Sequence, residues 1–383
     1  MNSKLKILII YGTRPEAIKF APLINLLKVD AEFNLKICVT GQHQDLLNSA
    51  NLLFNIAPDY NLKLMTNNQQ LHNLSAKILI DLHPILDDFK PHLVLVQGDT
   101  TTSFIASLAS FYKHIKIGHV EAGLRTNNIN EPFPEEFNRI SISKLAYLNF
   151  CPTFNNYSNL IKEGIPKDKL FITGNTVVDA LNHVLTNILD DYSLPQELIP
   201  YSNHINTNKV ILITVHRREN FGQNLINICS AIKHLAVNFK DLLFILPAHP
   251  NPNVKNIILE NLDSFDNIII INPLDYKDLI YLLNKSYLVL TDSGGIQEEA
   301  SSLSKPVLVL RNVTERIEAV ESGCVLLVGS DPSLIIANFT NILNDLSIYK
   351  SMLNNKKIYG NGDASTKILS ILKNKKKDIL GSI

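Results

Sequence analysis

Short, nearly continuous runs of Ile, Leu and Val recur along the chain, and segments of helix length separate them. Unbroken apolar runs are typical of parallel strands covered on both faces. The pattern predicts these strands: Ile7–Tyr11, Leu35–Thr40, Leu93–Gln97, Ile115–Val120, Leu148–Pro152, Leu170–Thr173, Val210–Thr214, Leu242–Pro247, Ile268–Asn272, Leu288–Thr291, Pro306–Leu310 and Val325–Val328.

The segments between the runs have helical periodicity, as in Leu74, Ile78, Leu82 and Ile85. Strands that alternate with helices predict an α/β fold, and the pattern occurs twice. We therefore expect two doubly wound, Rossmann-like domains that face a central cleft, where a small molecule would bind.

The join between the domains is expected between Thr173 and Lys209, a stretch that includes a polar and weakly periodic connection at 190–208. We assign residues 1–175 to the N-terminal domain and 176–363 to the C-terminal domain. The last segment, 364–383, is predicted to be helical and to pack back on the N-terminal domain.

Composition limits the class of protein. The chain has 383 residues, of which 45% are hydrophobic and 19% are charged, as in ordinary globular proteins. Its 36 basic and 36 acidic residues give no net charge, so a general nucleic-acid binder is not expected. No apolar stretch approaches the roughly 20 residues of a membrane helix. The N-terminal apolar run is too short for a signal peptide, and we expect a cytoplasmic protein.

The four cysteines form no CxxC pair and suit neither a zinc site nor a disulfide framework. They are predicted to be buried free thiols. Neither GxGxxG nor GxxxxGK[ST] occurs, so neither a dinucleotide cofactor nor an ordinary P-loop is expected. No metal and no cofactor are predicted.

The turns after the predicted strands carry the candidate chemistry, because ligands of open α/β sheets bind at the carboxyl edge. The first turn, GTRPE, opens a helix whose N-terminus favours an anion, and Arg14 and Lys19 add positive charge. The alternative is a structural turn with a capping Thr13 and a Pro near the helix start.

Three further turns of the first half bring carboxylates to the same edge: Asp99, Glu121 and Glu135. Asp99 could simply cap its helix, and Glu135 could complement a helix dipole. Three such turns on one sheet edge nevertheless indicate a site with several proton carriers.

In the second half, HRREN follows a strand and suggests a diphosphate or carboxylate partner, or a surface turn paired to its own Glu219. The DSGGIQEEA segment is the strongest signal. Its Ser293, Gly294 and Gly295 offer backbone N–H groups to a phosphate at a helix start. Glu299 is placed to accept hydrogen bonds from a ribose, and Arg316 to reach the same diphosphate.

Taken in order, GTRPEAIK, GDTTTS, HVEAGLRT, PFPEEFNR, ITGNTVVDAL, HRREN and DSGGIQEEA resemble the non-hydrolysing UDP-N-acetylglucosamine 2-epimerases over nearly the whole chain. The resemblance implies a GT-B-like fold and a homodimer that works without metal or NAD. It also implies a role in supplying precursors of surface polysaccharides.

The same resemblance implies roles for individual residues. Catalytic groups would be Asp99, Glu121, Glu135 and His216, and substrate-binding groups would be Arg14, Lys19, Arg139, Ser293, Gly294, Gly295, Glu299 and Arg316. A second, activating UDP-GlcNAc would contact Gln42, Glu136, Arg217 and His249. The family usually has Arg where this chain has Gln44, which removes one cation from that region.

The implied reaction is the reversible C2 epimerisation of UDP-GlcNAc to UDP-ManNAc. UDP is eliminated to leave 2-acetamidoglucal and is then added back. Three alternatives stay open: the same chemistry on a related UDP-2-acetamido sugar, a glycosyltransferase on the same fold, and a UDP-sugar-binding regulator. The last two would not need all three carboxylate turns.

Overall fold

The computed structural model describes residues 4–41, 44–64, 69–188, 192–353 and 357–381, and only the backbone at 44–46 and 218. Its strands are β1 (Leu5–Tyr11), β2 (Phe33–Val39), β3 (Tyr60–Asn61), β4 (Leu93–Gln97), β5 (Lys116–Val120), β6 (Leu148–Cys151), β7 (Leu170–Ile172), β8 (Lys209–Thr214), β9 (Leu242–Pro247), β10 (Ile268–Ile271), β11 (Ser286–Thr291), β12 (Val307–Val309) and β13 (Val325–Leu327).

The helices alternate with these strands. They are α1 (Arg14–Val29), α2 (Gln44–Leu53), α3 (Leu71–Phe89), α4 (Thr101–Tyr112), α5 (Glu135–Leu145), α6 (Phe154–Lys162), α7 (Thr176–Asn187), α8 (Ser202–Thr207), α9 (Gln223–Asn238), α10 (Pro252–Leu262), α11 (Tyr276–Lys285), α12 (Gly294–Ser302), α13 (Ile317–Glu321), α14 (Pro332–Asn344), α15 (Leu346–Met352), α16 (Ala364–Asn374) and α17 (Lys376–Leu380). Short 3-10 turns occupy Lys167–Lys169, Ile199–Tyr201 and Arg218–Asn220.

Every strand predicted from an apolar run is present, with ends that differ by a few residues. The prediction omitted β3, which has only the residues Tyr60 and Asn61 and therefore no apolar run. It exists because its backbone pairs with the end of β2, at Cys38 and Val39. The predicted α/β class is confirmed.

The chain forms two compact units: residues Met1–Asn182 with Tyr359–Ile383, and residues His183–Ile358. The division falls inside α7, whereas the sequence placed it before that helix. The carboxylate of Asp179 accepts hydrogen bonds from the backbone N–H groups of Ala364 (3.2 Å) and Ser365 (2.8 Å). These bonds tie the first turns of α7 to the start of α16.

Unit 1 is built on a parallel sheet which, among the described residues, has seven strands in the order β3-β2-β1-β4-β5-β6-β7. Strand β1, near the middle of the sheet, is almost wholly buried. The order reverses between β1 and β4, which pair at Ile7 and Leu93. This switch point is where open α/β sheets form a ligand crevice.

The end of the chain belongs to unit 1. Helix α16 packs on α1, and the Lys373 ammonium lies 2.6 Å from the Asp30 carboxylate. Lys376 lies 3.0 Å from Glu32 in the same way. These partly exposed pairs stabilise the unit only slightly, and the buried Ile368 and Leu372 contribute more.

Unit 2 repeats the design. Its described strands form a six-stranded parallel sheet in the order β10-β9-β8-β11-β12-β13. The order reverses between β8 and β11, which pair at Thr214 and Thr291. One apolar cluster, with Phe244 and Phe339 among its largest members, joins the strands of this sheet to covering helices. Within the described chain, no helix is both long and apolar enough to cross a membrane.

Candidate active site

The N-terminus of α1 is occupied by a carboxylate from the chain itself. Oε2 of Glu16 accepts hydrogen bonds from the backbone N–H groups of Gly12 (3.0 Å) and Thr13 (2.8 Å). These two N–H groups are therefore satisfied within the chain, and the anion-binding role expected of Arg14 and Lys19 stays a prediction. Arg14 begins the helix and is half-buried.

Glu16 also ties the first turn to the turn that follows β4. Its Oε1 accepts hydrogen bonds from the hydroxyl groups of Thr100 (2.7 Å) and Ser103 (2.9 Å). Burial raises the pKa of Glu16, although the hydrogen bonds that the carboxylate accepts act in the opposite direction. The result is a fixed spacing between two turns at the switch point of unit 1.

Asp99 lies in the turn after β4, but it does not cap α4. The cap is Thr100, whose hydroxyl accepts a hydrogen bond from the backbone N–H of Ser103 (3.0 Å). The Asp99 carboxylate instead lies 2.5 Å from the guanidinium of Arg139, which projects from α5. The Asn138 amide donates to the Asp99 carbonyl (2.9 Å). Asp99 is therefore placed as an ion-paired carboxylate at the sheet edge.

Glu121 comes directly after β5, the neighbour of β4 in the sheet. Its φ of 67° is in the left-handed region, which is rare for a residue other than glycine. Oε2 of its carboxylate lies 2.5 Å from the Lys19 ammonium and also accepts a short hydrogen bond from the Gln97 side-chain amide. The predicted site residues Lys19 and Glu121 are thus direct partners.

His119 is hydrogen-bonded to the turn that follows β4. It is wholly buried at the end of β5, and its Nε2 lies 2.7 Å from the carbonyl oxygen of Gly98. Burial lowers the pKa of His119 to about 4, against a smaller opposing effect of the Gly98 hydrogen bond. A neutral imidazole with Nε2–H as the donor therefore holds the Gly98 turn in place.

Helix α5 supplies both Glu135 and Glu136, and they differ in environment. Glu135 is half-buried at the first position of the helix. Glu136 is fully buried, and its Oε1 accepts hydrogen bonds from the backbone N–H groups of Thr126 (3.0 Å) and Asn127 (3.1 Å). Its Oε2 lies 3.2 Å from Arg139. In this structure Glu136 holds the 126–127 turn, and its contact with a second UDP-GlcNAc stays a prediction.

In unit 2, a buried carboxylate organises the turn after β8. Asp292 accepts hydrogen bonds from the backbone N–H groups of His216 (3.0 Å) and Arg217 (2.8 Å) and from the Asn220 amide (2.9 Å). Burial alone would raise the pKa of Asp292. The hydrogen bond and the charge of His216, together with the other donors, outweigh this effect of burial, so the pKa of Asp292 is lowered.

The neighbouring turn forms the start of α12. Ser293 occupies the N-cap position, but its hydroxyl does not cap the helix. The guanidinium of Arg316 lies so close to Gly294 that a Cβ there would meet Nη1 at 2.5 Å. Nε of Arg316 donates to Glu298 (2.9 Å), and Nη1 is paired with Glu315. The cation is thus fixed beside the N-terminus of α12.

Three further predicted residues, Glu299, His249 and Arg217, lie in unit 2. Glu299 is buried on α12. The ring of His249, after β9, stacks on His216 with centroids 5.8 Å apart. Arg217 lies in the turn held by Asp292. Gln42 lies outside the described residues.

The comparisons with known proteins decide the family. Residues 25–373 match the family model for UDP-N-acetylglucosamine 2-epimerase. A UDP-N-acetylglucosamine 2-epimerase of Campylobacter jejuni is 48% identical over 371 residues, which cover 96% of this chain and 97% of the relative. The chain belongs to the UDP-N-acetylglucosamine 2-epimerase family. The resemblance of its motifs is thereby confirmed, and the epimerases of this family are isomerases.

Solved epimerase structures have the same fold. The Neisseria meningitidis UDP-GlcNAc 2-epimerase bound to UDP-GlcNAc has a TM-score of 0.93 at 46% identity, and 97% of this chain and 100% of that chain are covered. The Methanocaldococcus jannaschii UDP-GlcNAc 2-epimerase in complex with UDP-GlcNAc and UDP has a TM-score of 0.84 at 33% identity, with 97% and 100% covered. The GT-B-like assignment is confirmed.

Three polar residues of this epimerase were not singled out from the sequence. Glu16 stands three residues after Thr13, the spacing of a capping box, and that signal could have identified it. Asp292 belongs to the DSGG motif, but its partners come from a turn some 75 residues earlier in the chain. Gln97 ends a buried strand and carries no sequence signal.

Proposed function

We propose that this epimerase interconverts UDP-GlcNAc and UDP-ManNAc by inverting C2, without net hydrolysis. The observation that carries the proposal is the carboxyl edge of unit 1. There Asp99 and Glu121 follow neighbouring strands, and each is paired with a cation at 2.5 Å. The names of the relatives and the UDP-GlcNAc in two related structures support the same substrate.

The chemistry explains why a carboxylate-rich site suits this reaction. The C2 proton is not acidic, because no carbonyl group is adjacent to it. Cleavage of the C1–O bond to UDP gives C1 cationic character, and a base then removes the C2 proton to form the C1=C2 bond of 2-acetamidoglucal. In the return step an oxygen of UDP bonds to C1, and an acid delivers a proton to the other face of C2. The steps involve no net oxidation.

Unit 1 is assigned the proton transfers. Removal from one face and delivery to the other need two groups, and Asp99, Glu121 and Glu135 are the candidates. Asp99 and Glu121 each lie 2.5 Å from a cation, Arg139 and Lys19, which favours the charged form of both carboxylates. Arg14, at the start of α1, is assigned to the negative charge of the departing diphosphate.

Unit 2 is assigned UDP. The N-terminus of α12, with Ser293, Gly294 and Gly295, offers backbone N–H groups and a helix dipole to a phosphate. Arg316 adds a fixed positive charge there. His216 is assigned to the diphosphate as well, because its ring is about two-fifths exposed and Asp292 holds its Nδ1 side at 3.2 Å.

The decisive experiment is incubation with UDP-GlcNAc in heavy water, followed by NMR. We expect UDP-ManNAc to appear and deuterium to enter C2 of both sugars, with no effect of a chelator or of added NAD. Epimerisation that retains the C2 hydrogen would contradict the elimination route. Free ManNAc as the main product would contradict the non-hydrolysing assignment.

Activation by a second UDP-GlcNAc is a further part of the proposal. It rests on Arg217 and on His249, stacked on His216. Starting from pure UDP-ManNAc, we expect a lag that trace UDP-GlcNAc abolishes. Turnover at full rate from the start, unchanged by UDP-GlcNAc, would show that this chain lacks the control. A homodimer and a cytoplasmic location also remain proposals, and light scattering of the purified protein would test the first.

A further inference from the structure

Two donors converge on one oxygen of Glu121. The Lys19 ammonium lies 2.5 Å from Oε2, and the side-chain amide of Gln97 donates to the same atom. Gln97, Lys19 and Glu121 expose 3%, 6% and 8% of their surfaces, so water competes little for these contacts. In such surroundings a lost hydrogen-bond partner leaves a costly unsatisfied group.

Gln97 is itself held firmly. It is the last residue of β4 and pairs with Val120, the residue before Glu121. Its backbone carbonyl accepts a hydrogen bond from the Ser103 hydroxyl (2.7 Å), and the next N–H, of Gly98, donates to the Val120 carbonyl (2.9 Å). The amide therefore projects from a rigid strand end next to the strand that carries Glu121.

The backbone of Glu121 needs such support. A left-handed φ on a residue with a side chain is unfavourable and persists only where the surroundings hold it. Lys19 is one partner, but an ammonium on a flexible stem attracts the carboxylate without fixing its plane. The planar amide of Gln97, on a short stem from a strand, does define a direction.

We propose that Gln97 is a positioning residue that orients the carboxylate of Glu121 for proton transfer at C2. The inference rests on the proposed role of Glu121. Gln97 itself does not need to touch the substrate. When the Gln97 amide is removed, the ion pair between Lys19 and Glu121 remains. The carboxylate of Glu121 then stays paired, but its plane turns more freely.

The test compares Gln97→Leu with Gln97→Glu. A misoriented catalytic group costs up to roughly 10²-fold in rate, so Gln97→Leu should lower kcat about 10-fold to 100-fold with KM changed less than about threefold. Gln97→Glu can donate to Glu121 only when its new carboxyl group is protonated. Its activity should therefore recover as the pH is lowered, relative to the wild type at each pH.

The control is Asn51→Leu. Asn51 is a buried amide of the same unit that accepts a hydrogen bond from the Tyr11 hydroxyl (2.8 Å). The Asn51→Leu variant should have a lower thermal unfolding temperature and a kcat near that of the wild type. A structural role for Gln97 would instead give both Gln97 variants a pH profile of wild-type shape, and that result overturns the inference.

Glu121→Gln separates the inference from the function on which it rests. Inactive Glu121→Gln together with fully active Gln97→Leu would overturn the role of Gln97 alone. Active Glu121→Gln would overturn the assigned role of Glu121, and the positioning role with it.

Discussion

Nδ1 of His216 lies 3.2 Å from the carboxylate of Asp292, a residue with no exposed surface. The same carboxylate accepts the backbone N–H groups of His216 and Arg217. One buried charge thus sets both the ring orientation of His216 and the path of its turn. Asp292 joins the turns after β8 and β11 at the switch point of unit 2.

Asp292→Asn should weaken UDP binding and destabilise unit 2. The new Asn side chain keeps one acceptor oxygen, but its NH₂ group faces N–H donors that then lose their acceptor. This lowers the free energy of unfolding by about 1–3 kcal/mol. Because the folded-state pKa of Asp292 is lowered, its stabilisation is present above its ordinary pKa of 3.8 and lost as the pH falls below it. Calorimetry should show a stability difference between wild type and variant that shrinks in acid. A difference independent of pH would contradict the charge argument.

The assignment of separate roles to the two units predicts two classes of variant. Asp99→Asn, Glu121→Gln and Glu135→Gln should lower kcat by roughly 10²-fold or more, the scale of lost acid–base catalysis. UDP binding, measured by titration calorimetry, should persist in all three. Ser293→Ala and Glu299→Ala should weaken UDP binding instead. Near-normal turnover in all three carboxamide variants would show that the proton carriers lie elsewhere.

The strands were predictable because parallel strands buried on both faces need unbroken apolar runs. β1 and β8 are examples, with every residue after the first few buried. The positions of Asp99 and Glu121 followed from the same logic, since each comes just after such a run. Sequence order alone thus locates residues at the carboxyl edge.

The pairings within the site were not predictable in this way. Glu16 was not singled out from the sequence, yet its carboxylate accepts hydrogen bonds from Gly12 and Thr13 at the helix start where an anion was expected. Asp292 and Gln97 act through partners far away in the chain or on a neighbouring strand. Such contacts depend on which distant segments the fold brings together, and a single apolar run does not encode that.

His119 should make unit 1 sensitive to acid. Its pKa is about 4 when folded, against an ordinary 6.5, so protonation favours the unfolded chain and stability is lost as the pH falls from about 6.5 toward 4. The loss at pH 5 is about 2 kcal/mol. His119→Gln keeps a donor for Gly98 but does not titrate. Scanning calorimetry at pH 7 and pH 5 should show that the wild type loses more stability between these pH values than His119→Gln does. Equal losses of stability would contradict a lowered pKa of His119.

Two adjacent glycines provide a matched pair for the last prediction. A Cβ at Gly294 would lie 2.5 Å from Nη1 and 2.7 Å from Cζ of Arg316, whereas a Cβ at Gly295 would meet nothing within 4 Å. Arg316 cannot move aside freely, because Glu298 and Glu315 hold its guanidinium. Gly294→Ala should therefore cost about 1–3 kcal/mol, as overpacking does.

Gly295→Ala should leave the unfolding temperature unchanged or raise it, since Ala is favoured over Gly in a helix by about 0.5–1 kcal/mol. Thermal unfolding of both variants without ligand measures the packing effect separately from binding. Titration with UDP then shows whether the displaced Arg316 matters, and we expect Gly294→Ala to bind UDP more weakly than the wild type. Equal unfolding temperatures for the two variants would mean that Arg316 is not held against the start of α12, and the fixed charge assigned to it there would have to be abandoned.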